Sequence, residues 1–195
     1  MGLQKLIAAL TLGTSLLLNP ISTRAEDLRY SFNFSFGSYK WGAENTSKIF
    51  DDSFFIKSGF STKIAPSLLG TFSLGYIPDE ETFSIGKGIS ETCKFKATYF
   101  EALLSYEIPI WSGTEVYAGA GVSAMVLDNE ISTSDFRKAI ERGSGVGIPL
   151  VVGMSADISK DKKTKSNFAF GINLSPFDGV DISGTYFNAG LIFRF

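Results

Sequence analysis

From Leu28 onward, apolar side chains fall on every second position. Leu28, Tyr30, Phe32, Phe34 and Phe36 are separated by Arg29, Ser31, Asn33, Ser35 and Gly37. Successive side chains of a strand point to opposite faces, so this spacing predicts a strand with one greasy face and one small or polar face. The same pattern returns along the chain. Its apolar positions are Phe54, Ile56, Phe60 and Ile64, then Leu68, Phe72, Leu74 and Tyr76, then Phe100, Ala102, Leu104, Tyr106 and Ile108. Four more runs follow: Val116 to Ala124, Val146 to Met154, Phe168 to Leu174, and Phe187 to Phe195. The pattern predicts eight strands, an even number.

The gaps between these runs alternate in length. The first, third, fifth and seventh fall at 41–52, 78–92, 128–143 and 176–184. The second and fourth are tight, at Ala65-Pro66-Ser67 and at Pro109 to Gly113, while the sixth, Ser159 to Ser166, is longer and Lys-rich. Long connections at one end and short turns at the other are the layout of a transmembrane β-barrel. Three places strain the pattern. Pro149 falls inside the sixth run, where a closed barrel has no free edge, so a β-bulge is expected there. Around Cys93 to Thr98 the parity slips, with Phe95, Ala97 and Tyr99 out of phase, which suggests a second bulge or a strand rising above the bilayer. In 134–142, Phe136 and Ile140 stand four apart and allow one short helix over the barrel mouth, or else a charged loop.

Two barrel architectures share this alternation. A soluble, ligand-carrying barrel turns its apolar face inward and shows water a surface rich in Lys and Glu. Here the second face is mostly Gly, Ser, Ala and Asn, the side chains that fit inside a narrow eight-stranded barrel. Its charges are few and balanced: Arg29, Lys57, Lys63 and Arg194 against Glu101, Glu107, Glu115 and Asp157. Buried charges must be paired, and a balanced lumen network meets that requirement. The apolar face therefore points outward. Aromatics collect at both expected interfaces. Tyr30, Tyr106, Trp111, Phe168, Phe193 and Phe195 fall near one rim, and Phe36, Trp41, Phe54, Tyr76, Phe100 and Phe187 toward the other.

Composition narrows the reading. The 195 residues fit one domain plus a removable segment. Residues 1–25 read as a signal peptide, with Lys5, the apolar run Leu6 to Leu18 and the small-x-small site Thr23-Arg24-Ala25. That run is too short to span a bilayer as a helix, and no later stretch is long enough. Residues 26–195 form the barrel domain. Losing Lys5 and Arg24 takes the 18 Lys and Arg to 16, against 20 Asp and Glu, so nucleic acid is not an expected partner. The single cysteine, Cys93, excludes an internal disulfide and a multi-Cys metal site.

The last run, Thr185 to Phe195, ends in Phe with apolar residues at every second position back from it. This is similar to the C-terminal signature of bacterial outer-membrane proteins. With the leader and the strand Tyr117-Ala118-Gly119-Ala120-Gly121-Val122, the mature chain resembles the small outer-membrane β-barrel superfamily of the OmpX and opacity-protein type. The resemblance implies an all-β, eight-stranded antiparallel up-and-down barrel in the bacterial outer membrane. It implies outer-membrane lipids and lipopolysaccharide as surroundings, and recognition of Phe195 by the barrel assembly machinery.

Chemistry is hard to find in the chain. Gly119 to Ala124 matches a dinucleotide fingerprint in letters, but it lies within a strand and opens no helix. Asp178 and Asp181 are two carboxylates without further ligands, which is the pattern of a solvated turn. Asn45-Thr46-Ser47 fits a glycosylation acceptor that has no meaning in a bacterial outer membrane. The chain has no histidine, the usual base that activates a Ser hydroxyl near neutral pH. Glu101, Glu107 and Glu115 are expected as partners of the lumen cations rather than as acid–base pairs. No catalytic, cofactor-binding or metal-binding residue and no cofactor is expected. The expected role is structural and interactive, with loops offered to host or envelope proteins. The alternative is a narrow channel for small or apolar solutes, for which Gly59, Gly75, Gly119, Gly121, Gly145, Gly147, Gly153, Gly171 and Gly190 would leave room.

Overall fold

The computed structural model describes residues 30–42, 52–86, 89–133, 136–176 and 180–195, and within 79–95 and 129–142 only the backbone. The leader at 1–25 and Arg29 lie outside the described residues. Eight strands follow one another: β1 (Tyr30–Trp41), β2 (Asp52–Ala65), β3 (Leu68–Gly86), β4 (Ile89–Trp111), β5 (Thr114–Thr133), β6 (Phe136–Asp157), β7 (Thr164–Leu174) and β8 (Gly184–Arg194). Each pairs antiparallel with the next, and β1 pairs with β8, as in Phe34↔Leu191, so the sheet closes. This is the expected eight-stranded meander barrel.

Closure explains the two faces. With no sheet edge in the wall, every strand has partners on both sides, and the period of two becomes an inside and an outside. The outside is greasy: Phe34, Phe60, Leu74, Leu104, Val122, Val152, Phe170 and Phe187 are all exposed, and Trp111 is 71% exposed. The inside carries buried Ser31, Ser35, Ser61, Ser73, Ser105, Ser123, Asn173 and Asn188. An exterior of this kind is stable only in lipid, and a lumen of polar groups only when they pair with one another.

The short turns fall where the sequence places them. Pro66-Ser67 joins β2 to β3, and Ser112-Gly113 joins β4 to β5. Gly113 has φ +80°, in the left-handed region open to glycine, and its carbonyl accepts the Asp157 amide at 2.8 Å. Residues 158–163 form the third turn, with Ile158 and Lys160 to Lys163 exposed. These turns mark the periplasmic end by the usual orientation of such barrels.

Several local expectations are overturned. No bulge occurs at Pro149: Ala120↔Leu150 and Ser123↔Gly147 share one register, and β7 pairs continuously from Ile148↔Leu174 through Pro149↔Asn173. Proline lacks an N–H, so the ladder toward β5 skips pairs there without inserting a residue. No bulge occurs at Cys93 to Thr98 either, since β4 keeps one register with β3 and β5 throughout that stretch. Ala97 and Tyr99 are instead buried inside the barrel, while the Phe95 side chain lies outside the described residues. The stretch from Phe136 is strand rather than helix. The long gaps at 78–92 and 128–143 are mostly paired backbone, for β3 and β4 pair out to Gly86↔Ile89 and β5 and β6 to Thr133↔Phe136.

Candidate functional site

The lumen is packed in two layers of different chemistry, with a cavity of about 70 Å³ left at mid-barrel among Asn33, Lys57, Ser73, Glu101, Ser105 and Tyr117. Near the periplasmic turns lie Lys63, Glu107, Glu115, Asp157, Lys165 and Arg194. Each is within a few residues of a strand end, so the alternation drives them all into one ring. The Lys165 Nζ lies 2.6 Å from Glu115 Oε2 and 3.7 Å from Asp157 Oδ1, and Arg194 donates to Glu115 at 3.2 Å. Lys63 approaches Glu107 at 3.8 Å, beside a polar cavity of about 30 Å³ that is large enough for water.

At mid-barrel, Glu101 is 1% exposed and collects three donors. Lys57 Nζ donates to it at 2.9 Å, Tyr186 at 3.2 Å, and the Tyr99 hydroxyl also donates to it. The Lys57 ammonium also lies 5.2 Å from the centre of the Tyr186 ring, a cation–π approach. Asn33 donates to Ser61 at 3.0 Å and Ser123 to Asn173 at 2.8 Å, extending the polar network around the wall.

Above Glu101 the lumen turns apolar. Tyr39, Trp41, Phe55, Ile77, Ala97, Tyr99, Met125, Leu127, Ile182 and Tyr186 form one buried cluster. Tyr39 and Trp41 have ring centres 4.7 Å apart, and Phe55 meets Tyr186 edge-on at 6.1 Å. The connection before β8 closes this cluster from outside. Ile182 is fully buried, and its carbonyl accepts the Tyr39 hydroxyl at 2.6 Å and the Asn173 amide at 3.0 Å. The amide of Gly42 reaches Ser183 O at 2.8 Å, and that of Val180 reaches Ser144 O at 3.2 Å. A segment of loop is thereby stitched across the mouth.

This arrangement bears on each expected lumen residue. Lys57, Lys63 and Arg194 meet Glu101, Glu107 and Glu115 as expected, and Asp157 joins Lys165. Lys165 adds a cation beyond the expected set, on the parity of Asn167, Gly171 and Asn173. The aromatic pattern of the sequence puts Trp41 in the outer girdle. It is instead 2% exposed within the lumen, and its Nε1 donates to Ser53 Oγ at 2.9 Å. The glycine positions do not leave an open passage. A Cβ on Gly171 would sit 2.2 Å from Tyr186 Cζ, on Gly153 2.4 Å from Tyr117 Cζ, and on Gly119 2.3 Å from Ser105 Oγ. At these three positions the space is taken by neighbouring side chains, and at Gly59, Gly121, Gly145 and Gly190 the nearest atom is a backbone carbonyl oxygen. Asp181 accepts the Ser183 amide at 2.8 Å, in an exposed turn, while Asp178 lies outside the described residues. Among the described residues no group of His, Cys, Asp and Glu is arranged to hold a metal ion.

The strands also differ in reach. β3 to β6 run 19, 23, 20 and 22 residues, whereas β1, β2, β7 and β8 run 12, 14, 11 and 11. Crossing a bilayer takes about 9–11 tilted residues. The surplus of β3 to β6 therefore projects beyond the mouth as a four-stranded sheet, rising roughly 30 Å at 3.3 Å per residue. Among the described residues no strand pairs along its two sides, although the Val180 amide reaches Ser144 O at the base of β6. Pairing of β2 with β3 stops at Ile56↔Tyr76, and pairing of β6 with β7 stops at Ile148↔Leu174.

A closed meander with a lipid-facing exterior and a lumen packed with ion pairs at one end and aromatic rings at the other defines the class: the chain has the fold of the small bacterial outer-membrane β-barrels. Solved structures agree. Neisserial surface protein A is similar with a TM-score of 0.60 at 11% identity, over 87% of this chain and 98% of that one. OprG of Pseudomonas aeruginosa gives 0.58 at 12% identity, over 86% and 96%. Ail, the attachment invasion locus protein of Yersinia pestis, crystallised with the heparin analogue sucrose octasulfate, gives 0.54 at 10% identity, over 87% and 99%. No protein-family model and no curated protein sequence matches the chain.

Proposed function

We propose that this chain loses residues 1–25 on export, folds into the bacterial outer membrane, and acts there as a structural and surface-interaction protein. The projecting sheet carries this reading. A filled lumen has no need of long strands, yet four consecutive strands continue well past the membrane. The backbone of β3 from Ile77 to Gly86, and of β6 from Phe136 to Gly143, pairs on its outer side with no described strand. Unpaired strand edges are templates on which an extended segment of a partner adds as a further strand. A host or envelope protein is the partner this offers, with lipopolysaccharide packed around the outer half of the wall. Phe195 is 70% exposed at the periplasmic rim, accessible to the barrel assembly machinery. The filled lumen favours this reading over a narrow channel, and the absence of histidine favours it over an enzyme.

The test is to shorten both hairpins, joining Pro78 to Lys96 and Asp128 to Arg142 through tight turns. The shortened protein should still change gel mobility on boiling, as a closed barrel does, while adhesion of expressing cells to epithelial monolayers falls to background. Undiminished adhesion with the mobility shift intact would contradict the role given to the sheet.

A further inference from the structure

The greasy exterior is not uniform. On the periplasmic half of the wall an open groove of about 520 Å³ is lined by residues of β4 to β8. Register places its residues in two rows. Tyr106↔Ala118, Ala118↔Val152 and Val152↔Phe170 form one, and Ile108↔Val116, Val116↔Met154 and Met154↔Phe168 the other. Small Ala118 and Val116 lie between the ridges made by Tyr106 and Ile108 on one side and Met154, Phe168 and Phe170 on the other. The floor is low because the flanking side chains are large, so the groove has the form of a channel for a slender apolar chain.

The charge beneath this groove is equally uneven. Residues 158–163 join the same two strands, β6 and β7, that build its far ridge. The turn carries Lys160, Lys162 and Lys163 against one acid, Asp161, all exposed. The Asp161 carboxyl is held below its usual range by the Ser159 hydroxyl and the Lys163 amide, so the turn keeps a net positive charge of two at neutral pH. The other two short turns, at Pro66-Ser67 and Ser112-Gly113, carry no charge. Phe168 stands four residues above Thr164, about 13 Å at the rise of a strand, a separation that one lipid molecule bridges.

We propose that the groove and the Lys-rich turn together form a binding site for one anionic glycerophospholipid of the periplasmic leaflet. An acyl chain lies between Tyr106 and Phe168, and the phosphate meets Lys160, Lys162 and Lys163. Lipopolysaccharide is not the occupant, because the turn lies at the opposite end of the barrel from the projecting sheet. The proposal rests on the membrane-barrel reading above and adds to it a specific lipid at a specific place.

The experiment is native mass spectrometry of the full mature chain released from detergent, titrated separately with phosphatidylglycerol and phosphatidylethanolamine of the same acyl composition. Phosphatidylglycerol adducts should be retained about thirtyfold more strongly, on the order expected for two net charges at a membrane surface. The triple variant Lys160→Gln, Lys162→Gln, Lys163→Gln should lose that preference. Ala118→Phe, which fills the groove, should weaken retention of both lipids. Equal retention of the two lipids by the unaltered chain, a preference that survives in the triple variant, or full retention by Ala118→Phe would each overturn the site. Each protein is first checked for the mobility shift on boiling. Its absence in the unaltered chain would count against the barrel reading itself, whereas a shift without lipid preference counts against the site alone.

Discussion

The two halves of the lumen obey one rule of alternation and fill it with opposite chemistry. Toward the periplasm the inward positions are Lys63, Glu107, Glu115, Asp157, Lys165 and Arg194, joined by ion pairs. Toward the cell surface the inward positions are Tyr39, Trp41, Phe55, Ile77, Met125 and Leu127, packed as a hydrophobic core. The same parity therefore sets which way a side chain points without deciding what it must be. Either filling works where its polar groups are partnered, as they are around Glu101 and Glu115, while Ser73 Oγ is buried without a hydrogen bond. Glu101 lies at the junction, receiving Lys57 from the polar side and Tyr99 and Tyr186 from the aromatic side. At the outer half, Ile182 from the connection before β8 packs into the cluster, fully buried, with its carbonyl bonded to the Tyr39 hydroxyl.

The largest expected effect comes from breaking the junction. Glu101→Ala leaves the Lys57 ammonium buried without its partner, which should cost about 4 kcal/mol. Urea-driven unfolding in phospholipid vesicles measures it, and pairing the change with Lys57→Met should restore most of the loss. Next is Tyr186→Ala, which removes a ring shared by both halves and leaves a void, for roughly 3 kcal/mol by the same assay. Gly171→Ala should follow at about 2 kcal/mol, because the new methyl displaces the Tyr186 ring from its seat. The smallest is Lys63→Gln. Its partner Glu107 is 3.8 Å away and Lys63 is only partly buried, so the change should stay below about 1 kcal/mol. A Lys63→Gln loss as large as that of Glu101→Ala would erase the distinction between the rim and the junction.

The wall was legible in the sequence because its physics is local. A period of two, tight turns at Pro66-Ser67 and Ser112-Gly113, and a second face of Gly, Ser and Asn suffice to state the strands and their facing. The fillings were less legible. Trp41 reads as a girdle residue when aromatic character is weighed alone, yet its odd number places it with Asn33, Ser35 and Gly37 on the inner face. Tyr99 and Ala97 look like a slip in phase for the same reason. They keep the inward parity of Glu101 and Ser105, and only the assumption of a polar lumen made them look misplaced. Pro149 misled differently, because a proline lacks a donor without needing an inserted residue. The reach of β3 to β6 was hidden by polar hairpins that alternate no apolar face, since above the membrane there is no lipid to impose one. What closes the mouth was out of reach, because Ile182 meets Tyr39 and Asn173 only once the barrel has formed.

Current recorded across a planar bilayer holding the mature protein tests the filled, closed lumen most directly. The account predicts a silent membrane, with no resolved conductance steps at any holding potential that the bilayer survives. Regular steps from the unaltered chain would mean that the aromatic layer and the Glu101 junction do not seal the barrel, and would contradict the account.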